Sequence, residues 1–303
     1  MKPMRGVLTI CPTPFFDNGE VDLDSIDRLV DFQLAAKVSG LAVLGFLGEQ
    51  HKLSSQERRV IIERFVSRTA GQVPVWVGVR ALGIQGAIEQ AREAQALGAS
   101  AVFVAPLDGV NDDGQFAFYR AVAESIGIPV VIHDFPDSFG TQISTAVVAR
   151  LALENIVTLI KMEEPPVGPK ITDILQRSEH RCDVFGGLGG VYFLEELKRG
   201  AVGTMTGFAF PEILVGIYQR YAAGDIQGAE RIFDHYCPLI RYEFQPKLGL
   251  ALRKYTYFKR GILSSAYVRA PGMQIDDYSI QELESVIARV GLDLARPGVF
   301  QIG

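Results

Sequence analysis

Eight short apolar runs, most of them rich in β-branched residues, recur about every 20–35 residues along this chain: 6–10, 41–44, 73–77, 101–104, 129–133, 157–161, 182–185 and 201–205. Each is nearly continuous in apolar residues rather than alternating. That pattern belongs to parallel strands covered on both faces, and the spacing is that of a βα unit. The stretches between the runs have helical periodicity. Ile26, Leu29, Val30 and Leu34 share one helical face, as do Ile61, Ile62, Phe65 and Val66. Ser54 and Glu57 have the spacing of a capping box ahead of the second helix. Ala87, Ala91, Ala94 and Leu97 precede Gly98, a natural helix stop. Eight such alternations predict a (β/α)8 TIM barrel. A doubly wound open sheet is the runner-up, disfavoured because no G-x-G-x-x-G follows the first run.

The strand pattern stops near Gly224. Residues 1–224 are therefore read as the barrel and 225–303 as a C-terminal helical extension packed on it, since no low-complexity linker intervenes. Residues 225–260 read as two helices interrupted near Pro238 or Pro246, and 279–290 as another.

Bulk properties narrow the function classes. A net charge of −5 without a Lys/Arg run argues against a nucleic-acid partner. No stretch approaches the roughly 20 apolar residues of a membrane span, and Pro12 and Pro14 cut short the apolar start of the chain. Three scattered cysteines, Cys11, Cys182 and Cys237, suggest no disulfide framework and point to a reducing cytoplasm. The four histidines show no metal-ligand spacing, so neither a metal nor a cofactor is expected.

In a parallel barrel the chemistry sits at the C-terminal ends of the strands. Lys161 closes the apolar run Val-Thr-Leu-Ile-Lys. Desolvation there disfavours the ammonium and frees the amine. A neutral amine attacks a ketone, and the resulting iminium is an electron sink. A lysine that reaches solvent, pairs with Glu163 or binds phosphate would occupy the same place, and position alone leaves these readings open. His133 ends the neighbouring run, where it could be a general acid/base or a hydrogen-bonded core histidine. Residues 45–49 should turn tightly, which would leave the amides of Phe46, Leu47 and Gly48 available to a carboxylate. Asp134, Glu163, Gly186, Met205 and Thr206 complete the strand-end candidates.

These residues carry a resemblance. Gly45-x-x-Gly48-Glu49 is followed by Leu53-Ser54-x-x-Glu57, then Pro136 with Gly140, Ile160-Lys161, Gly186 and the stretch from Gly200 to Gly207. In this order the chain resembles the dihydrodipicolinate synthase/N-acetylneuraminate lyase family from Gly6 to about Pro271. The resemblance implies a barrel with a helical extension, usually a homotetramer, and makes Lys161 the imine-forming lysine. It also implies that the Phe46 and Leu47 amides hold the carboxylate of a small 2-oxo acid, with Gly186 and Met205 lining the pocket.

Departures from the family pattern redirect the substrate. The Gly-Thr-Thr-Gly-Glu of dihydrodipicolinate synthases is here Gly45-Phe46-Leu47-Gly48-Glu49, so two hydroxyls are gone. The strand-five tyrosine is His133, the semialdehyde-binding arginine aligns with Ser138, and the paired tyrosines after strand four align with Leu107 and Asp108. The chain is more similar to the L-2-keto-3-deoxyarabonate dehydratase branch, through the x-Asp-x-Pro turn at Asp134 and Pro136, Lys161-Met162-Glu163, Gly203 to Gly207 and Pro238-Leu239-Ile240, although His133 stands where that branch usually has glutamine. The expectation is a class I lyase: a 2-keto-3-deoxy sugar acid dehydratase or aldolase with His133 as proton shuttle. A pyruvate–aldehyde condensing enzyme, or a non-catalytic 2-oxo acid sensor, is the alternative.

Overall fold

The computed structural model describes residues 4–294 and 298–302. Residues 1–3, 295–297 and 303, at the ends of the two predicted segments, lie outside the described residues. Eight parallel strands close into a barrel in sequence order: β1 (Gly6–Ile10), β2 (Gly40–Val43), β3 (Val75–Val79), β4 (Ala101–Val104), β5 (Val130–Asp134), β6 (Leu159–Met162), β7 (Asp183–Gly186) and β8 (Gly203–Thr206). Every predicted run overlaps its strand. β3 begins two residues later than the apolar pattern suggests, after Pro74, which has no N–H to give the ladder.

Two-residue alternation along each strand divides the core. Leu8, Ile10, Ala42, Trp76, Phe103, Val131, Phe185 and Met205 fill the barrel axis. The alternate residues, among them Val7, Val77, Val102, Ile132, Ile160 and Val184, pack outward against the helices. Parity therefore fixes which strand-end side chains reach the mouth. The axis set makes Val131 inward, so His133 is inward and Asp134 outward. Leu159 packs against the axis cluster, so Lys161 and Glu163 point inward in turn.

The predicted capping box is present: Ser54 accepts from the Glu57 amide while Glu57 accepts from the Ser54 amide. Beyond the barrel lie the helices Ile226–Glu243, Gly249–Lys259 and Asp277–Arg289. The first of these runs straight through Pro238, and the interruption falls at Pro246. No helix among the described residues is long and apolar enough to cross a membrane.

Candidate active site

The site is built on the register of β5 and β6, where His133 lies opposite Lys161. Both side chains are buried, at 2% exposure each. Lys161 Nζ is 2.9 Å from His133 Nε2 and donates to Glu163 Oε2 in the same cluster. His133 Nε2 is 3.3 Å from that carboxylate oxygen. The other Glu163 oxygen accepts the Leu188 amide at 2.8 Å. Gly187 makes room for this arrangement, because a Cβ there would run into the Glu163 side chain.

Burial drives the electrostatics. It lowers the Lys161 pKa, against the pull of the Glu163 carboxylate. Burial and the neighbouring Lys161 charge push His133 down to about 4, so the ring is neutral near pH 7. Burial works to raise Glu163, but Lys161 and the hydrogen bonds from His133 and Lys161 outweigh it and hold the carboxyl at about 2. The resting cluster thus brings the buried Lys161 amino group, a carboxylate and a neutral imidazole into mutual contact. A proton can leave Lys161 for either partner without crossing solvent.

The β2 loop faces this cluster. Its turn consumes the amides of Gly48 and Glu49, which donate to Gly45 O and Phe46 O. The expectation that the Gly48 amide is available is therefore corrected. The amides of Phe46 and Leu47 donate to no acceptor among the described residues. The loop is bounded by Leu44 and Glu49, both at positive φ (56° and 55°), a conformation that costs a non-glycine residue free energy. Two anchors hold it: Thr13 Oγ1 donates to Gly48 O at 2.7 Å, and the fully buried Glu49 carboxylate pairs with Lys254 and Lys52. Lys254 comes from the C-terminal helix Gly249–Lys259, so the extension fixes the loop.

The other candidates are placed as follows. Met205 lies in the axis cluster. Gly186 is buried, and a Cβ there would strike the Glu196 carboxyl. Asp134 points away from Lys161, as its parity requires, and pairs with Lys170 at 2.7 Å. Thr206 shares the outward parity of Thr204, opposite to Met205. Sequence reading missed Glu196, which is fully buried behind Gly186, and the Glu49–Lys254 pair. Phe46, Phe135 and Phe139 form an aromatic rim: Phe139 meets the His133 ring edge-on at 4.8 Å, Phe46 meets Phe135 at 6.4 Å, and Lys161 Nζ lies 5.7 Å from the Phe135 ring.

The model of the dihydrodipicolinate synthetase family matches residues 3–290. The chain belongs to that family. Among its relatives is an L-2-keto-3-deoxyarabonate dehydratase of Azospirillum brasilense, 30% identical over 293 residues, covering 94% of each chain. A protein of Escherichia coli named "Probable 2-dehydro-3-deoxy-D-pentonate aldolase" is 32% identical over 76% of this chain and 78% of its own length. The crystal structure of a dihydrodipicolinate synthase from Rhodopseudomonas palustris superposes with a TM-score of 0.88 at 35% identity, covering 94% of this chain and 97% of that one. Family membership makes this chain an aldolase- or dehydratase-type enzyme on a closed barrel. The names of the relatives divide among dehydration, cleavage and synthesis.

Proposed function

We propose that this chain is a class I lyase that forms a Schiff base between Lys161 and a 2-keto-3-deoxy sugar acid. The observation that carries this reading is the buried contact of Lys161 Nζ with both His133 and Glu163. The free Phe46 and Leu47 amides take the C1 carboxylate. Lys161 passes a proton to Glu163, attacks the C2 ketone and releases water as the iminium forms. The iminium acidifies C3, and neutral His133 accepts a C3 proton to give the enamine. In dehydration the enamine expels the C4 hydroxyl, which leaves as water with the proton from His133. In aldol cleavage His133 instead accepts the C4 hydroxyl proton of the iminium, the C3–C4 bond breaks to give an aldehyde and a pyruvyl enamine, and the same proton returns to C3 to restore the iminium. Water then hydrolyses the imine and restores the amine.

Dehydration is favoured over condensation because the loop places Phe46 and Leu47 where the synthases carry two hydroxyls, and a titratable histidine sits beside the lysine. Mass spectrometry of products from a panel of 2-keto-3-deoxy acids tests this. A product lighter by one water, without pyruvate, supports dehydration. Pyruvate plus an aldehyde means cleavage, and no turnover across the panel contradicts the proposal.

A further inference from the structure

Two carboxyl groups flank the short segment Gly186-Gly187-Leu188 at the end of β7. Glu163 lies on its mouth side, where Oε1 accepts the Leu188 amide at 2.8 Å. Glu196, on the helix Phe193–Lys198, lies on the other side. Phe185 packs into the axis and Val184 outward, so alternation turns Gly186 outward, toward that helix. A Cβ on Gly186 would fall on the Glu196 carboxyl, and a Cβ on Gly187 would fall on Glu163. The segment thus fits between the two acids because both residues are glycine. Leu188 is held at φ 45°, a left-handed conformation that costs a residue with a side chain free energy. Packed contacts must hold it there, and Glu196 supplies the one behind Gly186.

Nothing around Glu196 compensates a charge on it. The side chain is fully buried, and neither oxygen makes a hydrogen bond among the described residues. The cations at the end of its own helix are engaged elsewhere, Lys198 by Glu230 and Arg199 by Thr172. The charged groups that face it are acidic: Glu163 from the end of β6 and Glu195 from the same helix. Thr204, the register partner of Gly186 on β8, shares its outward side, and the Thr204 hydroxyl is also buried without a partner. A carboxylate in such a place is far more costly than a protonated carboxyl. Burial, reinforced by Glu163 and Glu195 and opposed by the Gly187 amide, pushes the Glu196 pKa up to about 8.

We infer that Glu196 is a positioning residue for the imine chemistry: it backs the 186–188 segment that orients Glu163 against Lys161, and it does so while its carboxyl is uncharged. This rests on the Schiff-base reading above and adds a pH control to the same site. Ionised, Glu196 puts a second negative charge close to Glu163. That charge favours the protonated form of Lys161. The carboxylate also draws on the Gly187 amide, next to the Leu188 amide that Glu163 uses. Both effects slow attack by the amine. Glu196 lies on the helix side of β7 and Lys161 on the axis side, so the influence passes through the backbone between the two acids.

The test is the rate of pyruvate trapping with sodium cyanoborohydride on the full chain, read by intact mass for the native protein and Glu196→Gln at pH 6.5 and pH 9. Glutamine keeps the size of the uncharged acid and cannot ionise. Comparing the two proteins at each pH cancels the pH dependence of the reagent, and far-UV circular dichroism restricts the comparison to folded protein. At pH 6.5 the two rates should match. At pH 9 a group of pKa about 8 keeps its proton in about a tenth of molecules, so the native rate should lie about tenfold below that of Glu196→Gln. Glu196→Ala removes the support and should lower the maximal rate by about ten- to a hundredfold at both pH values. Half-saturating pyruvate should change little in that variant, because the Phe46 and Leu47 amides stay in place. The glutamine comparison decides even where the alanine variant does not fold. A ratio that stays at one through pH 9, a Glu196→Gln already slow at pH 6.5, or a folded Glu196→Ala of native rate overturns the inference while leaving the imine intact. No adduct in any of the three proteins overturns the Schiff-base reading and this inference with it.

Discussion

His133 and Lys161 are register partners across β5 and β6, and their side-chain nitrogens meet 2.9 Å apart inside the barrel mouth. Parallel pairing makes this contact a property of the backbone. Val131, two residues before His133 on β5, and Phe185, the register partner of Lys161 on β7, belong to the apolar cluster that fills the axis. The pairing puts a neutral imidazole beside the buried amine proposed to form the imine.

Replacing His133 by Gln keeps a polar side chain but removes the proton acceptor. The turnover rate should fall by about 10²–10⁴-fold, the usual contribution of a general acid/base, while imine trapping at Lys161 persists. The native histidine is held at about 4 by burial and the Lys161 charge. Activity that needs its neutral form is lost as pH falls through about 4, rather than near 6.5. The acid limb of kcat/KM in the native enzyme should therefore lie near pH 4 and be absent in His133→Gln.

Glu49 and Lys254 are 205 residues apart and fully buried together. Burial lowers Lys254 to about 8, with the Glu49 carboxylate opposing that fall. Removing one member of a buried pair leaves a charge without compensation, at a cost of about 3–5 kcal/mol. Glu49→Gln should lower the thermal midpoint accordingly. It should also raise KM more than it lowers kcat, because the loop bearing the Phe46 and Leu47 amides loses its anchor. An unchanged KM would mean that Thr13 alone positions the loop.

Glu196 makes a prediction about stability and pH. Its carboxyl oxygens make no hydrogen bond of good geometry among the described residues. Burial raises its pKa to about 8, although the Gly187 amide lies near enough to favour the charged form somewhat. The unfolded chain releases this proton near 4.5, whereas the folded chain keeps it to about 8. The folded state therefore binds more protons in that interval, and stability falls as pH rises from about 4.5 to 8. Glu196→Gln, which cannot ionise, should flatten this part of the profile and raise the relative stability at pH 8. Denaturant melts of both proteins at pH 5 and pH 8 measure it. Parallel profiles would show that Glu196 is charged in the folded protein.

Much of the fold was legible because the strands are covered on both sides and so read as unbroken apolar runs. Lys161 and His133 were legible because each ends such a run with a residue that burial makes expensive. Asp134 was overread: it sits at a strand end, but Val131 already fixes the parity that turns it outward to Lys170. The Glu49–Lys254 pair had no local signature, since each residue acquires its meaning only when the C-terminal helix docks. The two hydroxyls missing from the β2 loop were visible in the sequence. That the loop still leaves the Phe46 and Leu47 amides free required the turn geometry.

The central claim is that Lys161 forms a covalent imine with a 2-oxo acid. Its most direct test is incubation with pyruvate and sodium borohydride, followed by intact-mass analysis and peptide mapping. The account predicts one reduced pyruvyl adduct per chain, located on Lys161 and absent in Lys161→Ala. An unmodified native chain, or an adduct that persists at another lysine in Lys161→Ala, would contradict it.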